Sequence, residues 1–283
     1  MKHSLHSSFY PHIDAKKFTK VVKLLRQFFD ERGLLEVHTQ NRLSILSACE
    51  NPHSIAKFVY NHNDYPLPQT GQMWLEHELL TQPEEKGFYC LSTSYRNESA
   101  PIEGRHCMIF PMFEFELHGT MTELAILETE LLEFLGFKSH AIRNYENVCD
   151  EYGVSIIEND TEMKLYQDVS DAVLLMNFPE RTNPFWNMKR HDNEPSIAKK
   201  IDVILCGQET IGSAERSCDV EQMRTNFFSI EDGKYAEKLF DLFSYNRVIE
   251  ELNEFLSNKF FPRVGAGVGI TRLIRAMEIN KLL

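Results

Sequence analysis

Long apolar runs are missing from this chain of 283 residues. None approaches the roughly 18 residues that a membrane-crossing helix needs. The opening Met1-Lys2-His3-Ser4-Leu5-His6 lacks the apolar segment of a secretion signal. A cytoplasmic protein is therefore expected. Cysteine is sparse as well. Cys49, Cys90, Cys107, Cys149, Cys206 and Cys218 form no CxxC pair. That excludes a recognisable zinc spacing and makes free thiols in a reducing compartment the expectation. Basic runs are also absent, and 30 Lys and Arg stand against 42 Asp and Glu, for a net charge of −12. Affinity for nucleic acid rests mainly on Lys and Arg neutralising phosphates. The balance weighs against a nucleic acid as an obligate partner, although a local basic patch leaves RNA open. There are no repeats, low-complexity tracts or linkers, so residues 1–283 are expected to form one domain.

What is present is a core. Apolar residues make up 42% of the chain, with 20 Phe among them, and aromatic side chains bury a large area each. Phe18, Val21, Val22, Leu25, Phe28 and Phe29 recur at helical spacing from about Ala15, and Gly33 stops the run. Leu34–His38 reads as a short strand, Phe58–Tyr60 as another, and His62-Asn63-Asp64 as a turn. Gln72–Leu80 reads as a helix. Phe88–Arg96 and Phe110–His118 alternate in the β manner around a polar loop, which predicts a hairpin with a long tip. Met121–Leu135 is a helix ended by Gly136. Residues 141–192 give no clear pattern. Asp202–Cys206 and Glu209–Ile211 read as a strand pair around Gly207, and Tyr235–Phe260 as a long helical region. Gly265–Gly269 reads as a Gly-rich loop that enters a helix at Thr271–Met277. Interleaved elements with an obligatory hairpin predict an α/β (α+β) fold, a mixed or antiparallel sheet flanked by helices.

Several places hold residues with chemical potential. The hairpin carries Arg96 and Glu98, its loop Arg105 and His106, and its return strand Phe110, Glu114 and Glu116 on one face. Arginine forks suit phosphate, and an aromatic face suits a base. Asp202 and Glu209, flanking Gly207, suit a hard cation: Mg²⁺ commonly takes one or two carboxylates plus phosphate oxygens. Arg216 suits a carboxylate or amide oxygen. The run from Gly265 to Arg272 suits close backbone approach and an anion at a helix start. Taken singly, each has a plainer alternative: a solvated hairpin, two solvated acids, a surface ion pair, a helix-entry turn.

Taken in order, these segments resemble the signature motifs of class II aminoacyl-tRNA synthetases. Arg32-Gly33-Leu34-Leu35-Glu36-Val37-His38-Thr39-Gln40 resembles motif 1, with Gln40 in place of its usual proline. Ser94–Glu116 resembles motif 2, and Gly265–Arg272 motif 3. Thr70-Gly71-Gln72-Met73-Trp74-Leu75-Glu76 is similar to the SGQLHLE segment of asparaginyl-tRNA synthetases. Arg105-His106, Phe110 and Glu114-Phe115-Glu116 follow their motif 2 spacing, and Ser47-Ala48-Cys49-Glu50 resembles the segment whose acid meets the substrate amino group. The likeness runs from about residue 20 to 278 and points to the asparaginyl/aspartyl subclass. Besides Gln40, three positions depart from it: Thr271 replaces an acid, Ser213 a glycine, and Leu75 the Lys of aspartate-type enzymes.

The resemblance implies a catalytic core with an antiparallel sheet, ATP as substrate, Mg²⁺ as cofactor and a homodimer. It implies that Arg96, Glu98, Arg105, His106, Phe110 and Arg272 bind ATP, with Arg96, Glu209 and Arg272 catalytic. Asp202 and Glu209 would hold the metal, and Glu50, Gln72, Glu114 and Arg216 the amino acid. Motif 1 begins near residue 20, so no anticodon-binding domain is expected. That layout resembles stand-alone paralogues such as the ammonia-dependent asparagine synthetases. An AMP-forming ligase acting on aspartate with ammonia is the first expectation. The alternatives are an asparagine-like amino acid joined to another acceptor, a truncated tRNA ligase, and a non-catalytic binding module.

Overall fold

The computed structural model describes residues 12–39, 43–46 and 51–283. Helix α1 (Ala15–Glu31) starts where the Asp14 carboxylate accepts the N–H groups of Lys16 and Lys17 at 2.8 and 2.9 Å. Its stripe of Val21, Val22, Leu25, Phe28 and Phe29 is buried. Gly33, at φ 80°, turns the chain into the short strand β1 (Leu35–Glu36). Strands β2 (Lys57–Tyr60) and β3 (Asn63–Pro66) form a separate two-stranded ribbon. Its turn falls on Asn61 and His62, both at positive φ, one residue earlier than the sequence suggests. Helix α2 (Gln72–Thr81) follows.

The central hairpin is β4 (Gly87–Tyr95) with β5 (Ile109–His118), paired antiparallel from Tyr95↔Ile109 to Gly87↔Leu117. Helix α3 (Met121–Leu135) is closed in front by a capping box of Thr120 and Glu123 and behind by Gly136 in the left-handed region. The stretch without a clear pattern contains β6 (Ala141–Asn144), α4 (Tyr145–Tyr152), α5 (Asn159–Asp168), β7 (Ala172–Pro179) and β8 (Arg190–His191). Strands β9 (Glu194–Leu205) and β10 (Gln208–Glu215) are much longer than the sequence suggests and meet at a tight turn of Cys206 and Gly207. Helices α6 (Val220–Ser229), α7 (Lys234–Phe243) and α8 (Tyr245–Leu256) precede strand β11 (Arg263–Gly269) and helix α9 (Ile270–Ile279).

Among the described residues the main sheet has nine strands in the order β1-β4-β5-β11-β10-β9-β7-β6, with β8 on β9. Pairing is parallel at β1/β4 and β6/β7 and antiparallel elsewhere. Helices α1, α3 and α9 bury a large apolar core against one face of the sheet, where Phe29 packs on Phe113 and Phe115 with ring centroids 5.3 and 4.6 Å apart. A second core joins α2 to α6, α7 and α8 around Trp186. The predicted fold class therefore holds.

One expectation needs correction. Gly265–Gly269 is not a loop: it is a fully buried strand paired with β5 and β10. Its glycines mimic a loop in sequence, but they serve proximity. A methyl carbon built on Gly265 would lie 1.6 Å from Glu116 Oε2 and 2.6 Å from an Arg216 nitrogen. Bare backbone is what lets charged side chains lie flat on the sheet at that point. Tyr235–Phe260 is helical over most of its length, as expected, but divided. Ser244, at φ 71°, breaks it into α7 and α8, and each then turns its own apolar stripe inward.

Candidate active site

Strands β5, β10 and β11 form the floor of a cavity of about 390 Å³, within the range of small-molecule sites. Helix α2 starts at its edge. The Gly71 N–H at that helix start donates to Glu114 Oε2 at 2.7 Å. Thr70 and Ser92 hydroxyls also donate to this carboxylate. Glu114 is fully buried yet lines the cavity, and its negative charge suits a helix N-terminus. The same start turns Gln72 inward, where its Oε1 accepts from an Arg216 nitrogen at 2.5 Å.

Alternation along β5 sends Phe110, Met112 and Glu114 to the cavity. Glu116 continues that face beneath Arg216. Arg96 enters from the end of β4, its Nε donating to Ser94 Oγ at 3.1 Å. The hairpin tip then folds over the β9–β10 turn. Arg105 donates to Gly207 O at 3.2 Å and to Glu162 Oε2 at 2.5 Å. His106 and Glu98 pair at 2.7 Å in the same wall. Arg272, in the first turn of α9, donates to Glu209 O at 2.6 Å and Arg105 O at 3.4 Å. Glu209 itself lines the cavity.

The structure thus brings Gln72, Arg96, Glu98, Arg105, His106 and Phe110 into one cavity with Glu114, Glu209, Arg216 and Arg272. Asp202 is nearly buried and lines an adjoining cavity, next to Glu209. Both carboxylates approach the same point above Gly212: a methyl built there would lie 3.2 Å from Glu209 Oε1 and 3.6 Å from Asp202 Oδ1. Asp202 Oδ1 has no hydrogen-bond partner, while Oδ2 accepts from Lys200 Nζ at 2.7 Å. Burial pushes this carboxyl up to about 7, with Lys200 pulling it down and Glu209 pushing it up. An orphaned oxygen beside a second carboxylate fits a divalent cation that completes its shell with phosphate oxygens. Glu50 lies outside the described residues.

Sequence reasoning missed Lys200, which lines the cavity. Its position two residues before Asp202 on a strand was the available signal. It also missed Glu76 and Arg263. Arg263 is fully buried and donates to Glu76 Oε2 at 2.6 and 3.0 Å. Arg216 lies 3.2 Å from Glu116 Oε2 and 3.7 Å from Glu76 Oε1. Burial pushes Glu116 up to about 7 against the pull of Arg216. The result is a closed cluster of Arg216, Arg263, Glu76 and Glu116 at one end of the cavity. The segment from Thr182 to Phe185, with Met188, Ile230, Glu231 and Tyr235, supplies further wall.

A family model described as tRNA synthetases class II (D, K and N) matches residues 12–281. This chain belongs to the class II tRNA synthetase family. It is 23% identical over 226 residues to the aspartate–tRNA(Asp/Asn) ligase of Methanopyrus kandleri, covering 69% of this chain and 51% of that protein. It is 23% identical over 313 residues to the lysine–tRNA ligase of Thermoanaerobacter pseudethanolicus, covering 92% and 60%. Among solved structures it matches asparaginyl-tRNA synthetase from Pyrococcus horikoshii complexed with asparaginyl-adenylate. That match has a TM-score of 0.75 at 18% identity, over 92% of this chain and 64% of the other. Aspartyl tRNA synthetase from Entamoeba histolytica gives a TM-score of 0.71 at 16% identity, over 92% and 54%. This synthetase-family chain thus spans about half to two thirds of these relatives' length. No helix among the described residues is long and apolar enough to cross a membrane, and Cys90, Cys107, Cys149, Cys206 and Cys218 are free thiols.

Proposed function

We propose that this chain activates an amino-acid carboxylate with ATP, forming an aminoacyl adenylate and releasing pyrophosphate. The observation that carries this reading is the convergence of Arg96, Phe110, Glu209 and Arg272 on one cavity that also holds Gln72, Glu114 and Arg216. In this reading Phe110 and Arg272 bracket the adenine, and Arg96 meets the α-phosphate and the charge that builds there during attack. Arg105 and His106 face the outer phosphates. Glu114 and Gln72 receive the substrate's amino group, with Glu50 as a further acid from the resemblance. Asp202 and Glu209 would hold Mg²⁺ with the phosphate oxygens, offsetting negative charge on the leaving group. The chain itself contributes mainly position: attack is fast when the carboxylate is held in line with the α-phosphorus.

The far end of the cavity bears on the amino acid. Arg216 and Arg263 are matched there by Glu116 and Glu76, so the cluster leaves no excess positive charge for a second substrate carboxylate. Leu75 is fully buried against Leu79, Phe88 and Cys90 and adds no charge. A pocket with a charge-matched guanidinium and a Gln amide suits an asparagine-like side chain better than a second carboxylate. This favours an asparagine-like substrate over aspartate with ammonia.

The test is ATP–pyrophosphate exchange with Mg²⁺ and a panel holding asparagine, aspartate and lysine. Exchange that depends on one of them is expected, asparagine before aspartate. No exchange with any amino acid sinks the adenylation reading and leaves a binding module. Added ammonia or tRNA then separates an amidating ligase from a tRNA ligase. A homodimer, implied by the likeness of residues 32–40 to motif 1, is checked by light scattering.

A further inference from the structure

The main cavity does not close behind Glu209. It adjoins a second one of about 380 Å³, and Thr182, Asn183, Lys200 and Glu209 line both. An adenylate held between Arg96 and Arg216 lies within the main cavity, so the second space is left for another molecule. Its walls divide by chemistry. Ile156, Ile157, Leu175, Phe178 and Ile204 are apolar, whereas Glu162, Asp202 and Glu209 are acids. The nearby cations are already engaged: Arg105 with Glu162 at 2.5 Å, Arg181 with Glu146 at 2.5 Å, and Lys200 with Asp202 at 2.7 Å. Asp202 Oδ1 remains unpartnered although Asp202 is 7% exposed. The wall also shows what it accommodates, since the Lys200 ammonium rests 4.0 Å from the Phe178 ring centroid beside the Asp202 carboxylate.

We propose that this second cavity binds the acceptor of the activated amino acid, and that the acceptor is a primary amine on an apolar body. The proposal rests on the adenylate reading. Once pyrophosphate and its cation have left, the carboxylates disfavour carboxylate, phosphate or thiolate acceptors. The apolar walls disfavour polyols, and ammonia alone would leave those walls unfilled. In the transfer, the bound ammonium first gives one proton to a cavity carboxylate, and the freed lone pair forms a bond to the adenylate's carbonyl carbon. The bond from that carbon to the phosphate oxygen breaks, AMP leaves with the electron pair, and a second proton of the amine goes to a phosphate oxygen of the departing AMP. The products are an amide and AMP, with no oxidant or reductant.

The test uses the full chain with ATP, Mg²⁺ and the amino acid that gives exchange. AMP release is measured with ammonium, ethylamine and butylamine at equal concentration, with butanol and butyrate as controls. Efficiency is expected to rise through the amine series, by roughly three- to fourfold for each buried methylene, and the controls to be inert. Ile156 lines the cavity at 37% exposure, so Ile156→Trp obstructs it from the solvent side. That variant should bring butylamine down to the level of ammonia while pyrophosphate exchange stays unchanged. Butylamine no better than ammonia, butanol as good as butylamine, or an Ile156→Trp variant that depresses both amines alike would overturn the proposal. If no amino acid supports exchange, the adenylate reading itself has failed. Calorimetric binding of butylammonium then decides the cavity: binding lost in Ile156→Trp supports an amine site, and no binding to the unsubstituted chain refutes it.

Discussion

The two ends of the main cavity anchor their arginines in different ways. At the hairpin end, Arg272 gives its N–H groups to the backbone carbonyls of Glu209 and Arg105. Arg105 divides its own between Gly207 O and Glu162. At the far end, Arg216 and Arg263 face Glu116 and Glu76, and all four side chains are nearly or wholly buried. A carbonyl orients a guanidinium without cancelling its charge; a carboxylate cancels it. Arg272 therefore keeps its charge for a polyanion at the hairpin end, where Arg105 is partly cancelled by Glu162, while the far end selects by shape and hydrogen bonding. The charges at the far end are also interdependent, because a buried ion left without its partner is costly.

Arg263→Met attacks that interdependence and carries the largest expected effect. It leaves Glu76 buried with Asn187 as its remaining close donor, at 2.6 Å. Stability should fall by about 3–5 kcal/mol, read as a lower urea midpoint. Adding Glu76→Gln should recover most of the loss, because the stranded charge is then gone. A midpoint unmoved by the single change would mean that the far end is not an interlocked cluster.

Arg96→Ala probes the other end. It should lower kcat/KM for pyrophosphate exchange by about 10²–10³, the usual effect of deleting one donor to developing charge, with the urea midpoint nearly unchanged. A large fall in stability in place of a fall in rate would erase the contrast between the ends.

The contrast also governs how much was legible in the sequence. Helix α3 could be read to the residue, because Thr120 and Glu123 cap it and Gly136 stops it. The β4–β5 hairpin could be read because one face of it alternates toward the cavity. Strand β11 could not, since Gly265 and Gly267 look like loop residues until Glu116 and Met112 are seen pressing on them. The β6–β7 region escaped because Ala172–Pro179 is largely buried along its length, which removes the period-two signal. Candidate residues of the hairpin end were legible because they cluster locally in residues 96–116. Glu76 and Arg263 were not, because they are separated by 187 residues; Lys200 pairs with Asp202 only two residues on, so its signal was local and was passed over.

Glu128 sharpens the comparison as a buried carboxylate with no ion pair among the described residues. It lies on α3 against the opposite face of the sheet, fully buried, with the Ser213 hydroxyl as polar support for its charge. Burial pushes it up to about 8 from 4.5. The folded state therefore holds a proton that the unfolded state releases above about pH 4.5. By linkage, stability contributed by this group is fully present below that pH and is lost progressively up to about pH 8. Glu128→Met removes the titration. The variant should gain on the unsubstituted chain between pH 5 and 8, by on the order of 2–3 kcal/mol at the upper end. Parallel stability–pH curves would show that Glu128 has a counter-charge after all.

Phe110→Ala carries the smallest expected effect and tests whether the two ends act separately. Phe110 lines the cavity on the hairpin strand, on the same face as Glu114 but four residues closer to the loop. Loss of a ring that stacks on a base costs about 1–3 kcal/mol, so KM for ATP should rise by about tenfold. KM for the amino acid should not move, because the far end is fixed by its own ion pairs and by α2, independently of the ring. If both constants rise together, the ring instead supports the β5 backbone on which Glu114 and Glu116 are mounted. The division into a charge-reading end and a shape-reading end would then have to give way to a single mechanical unit.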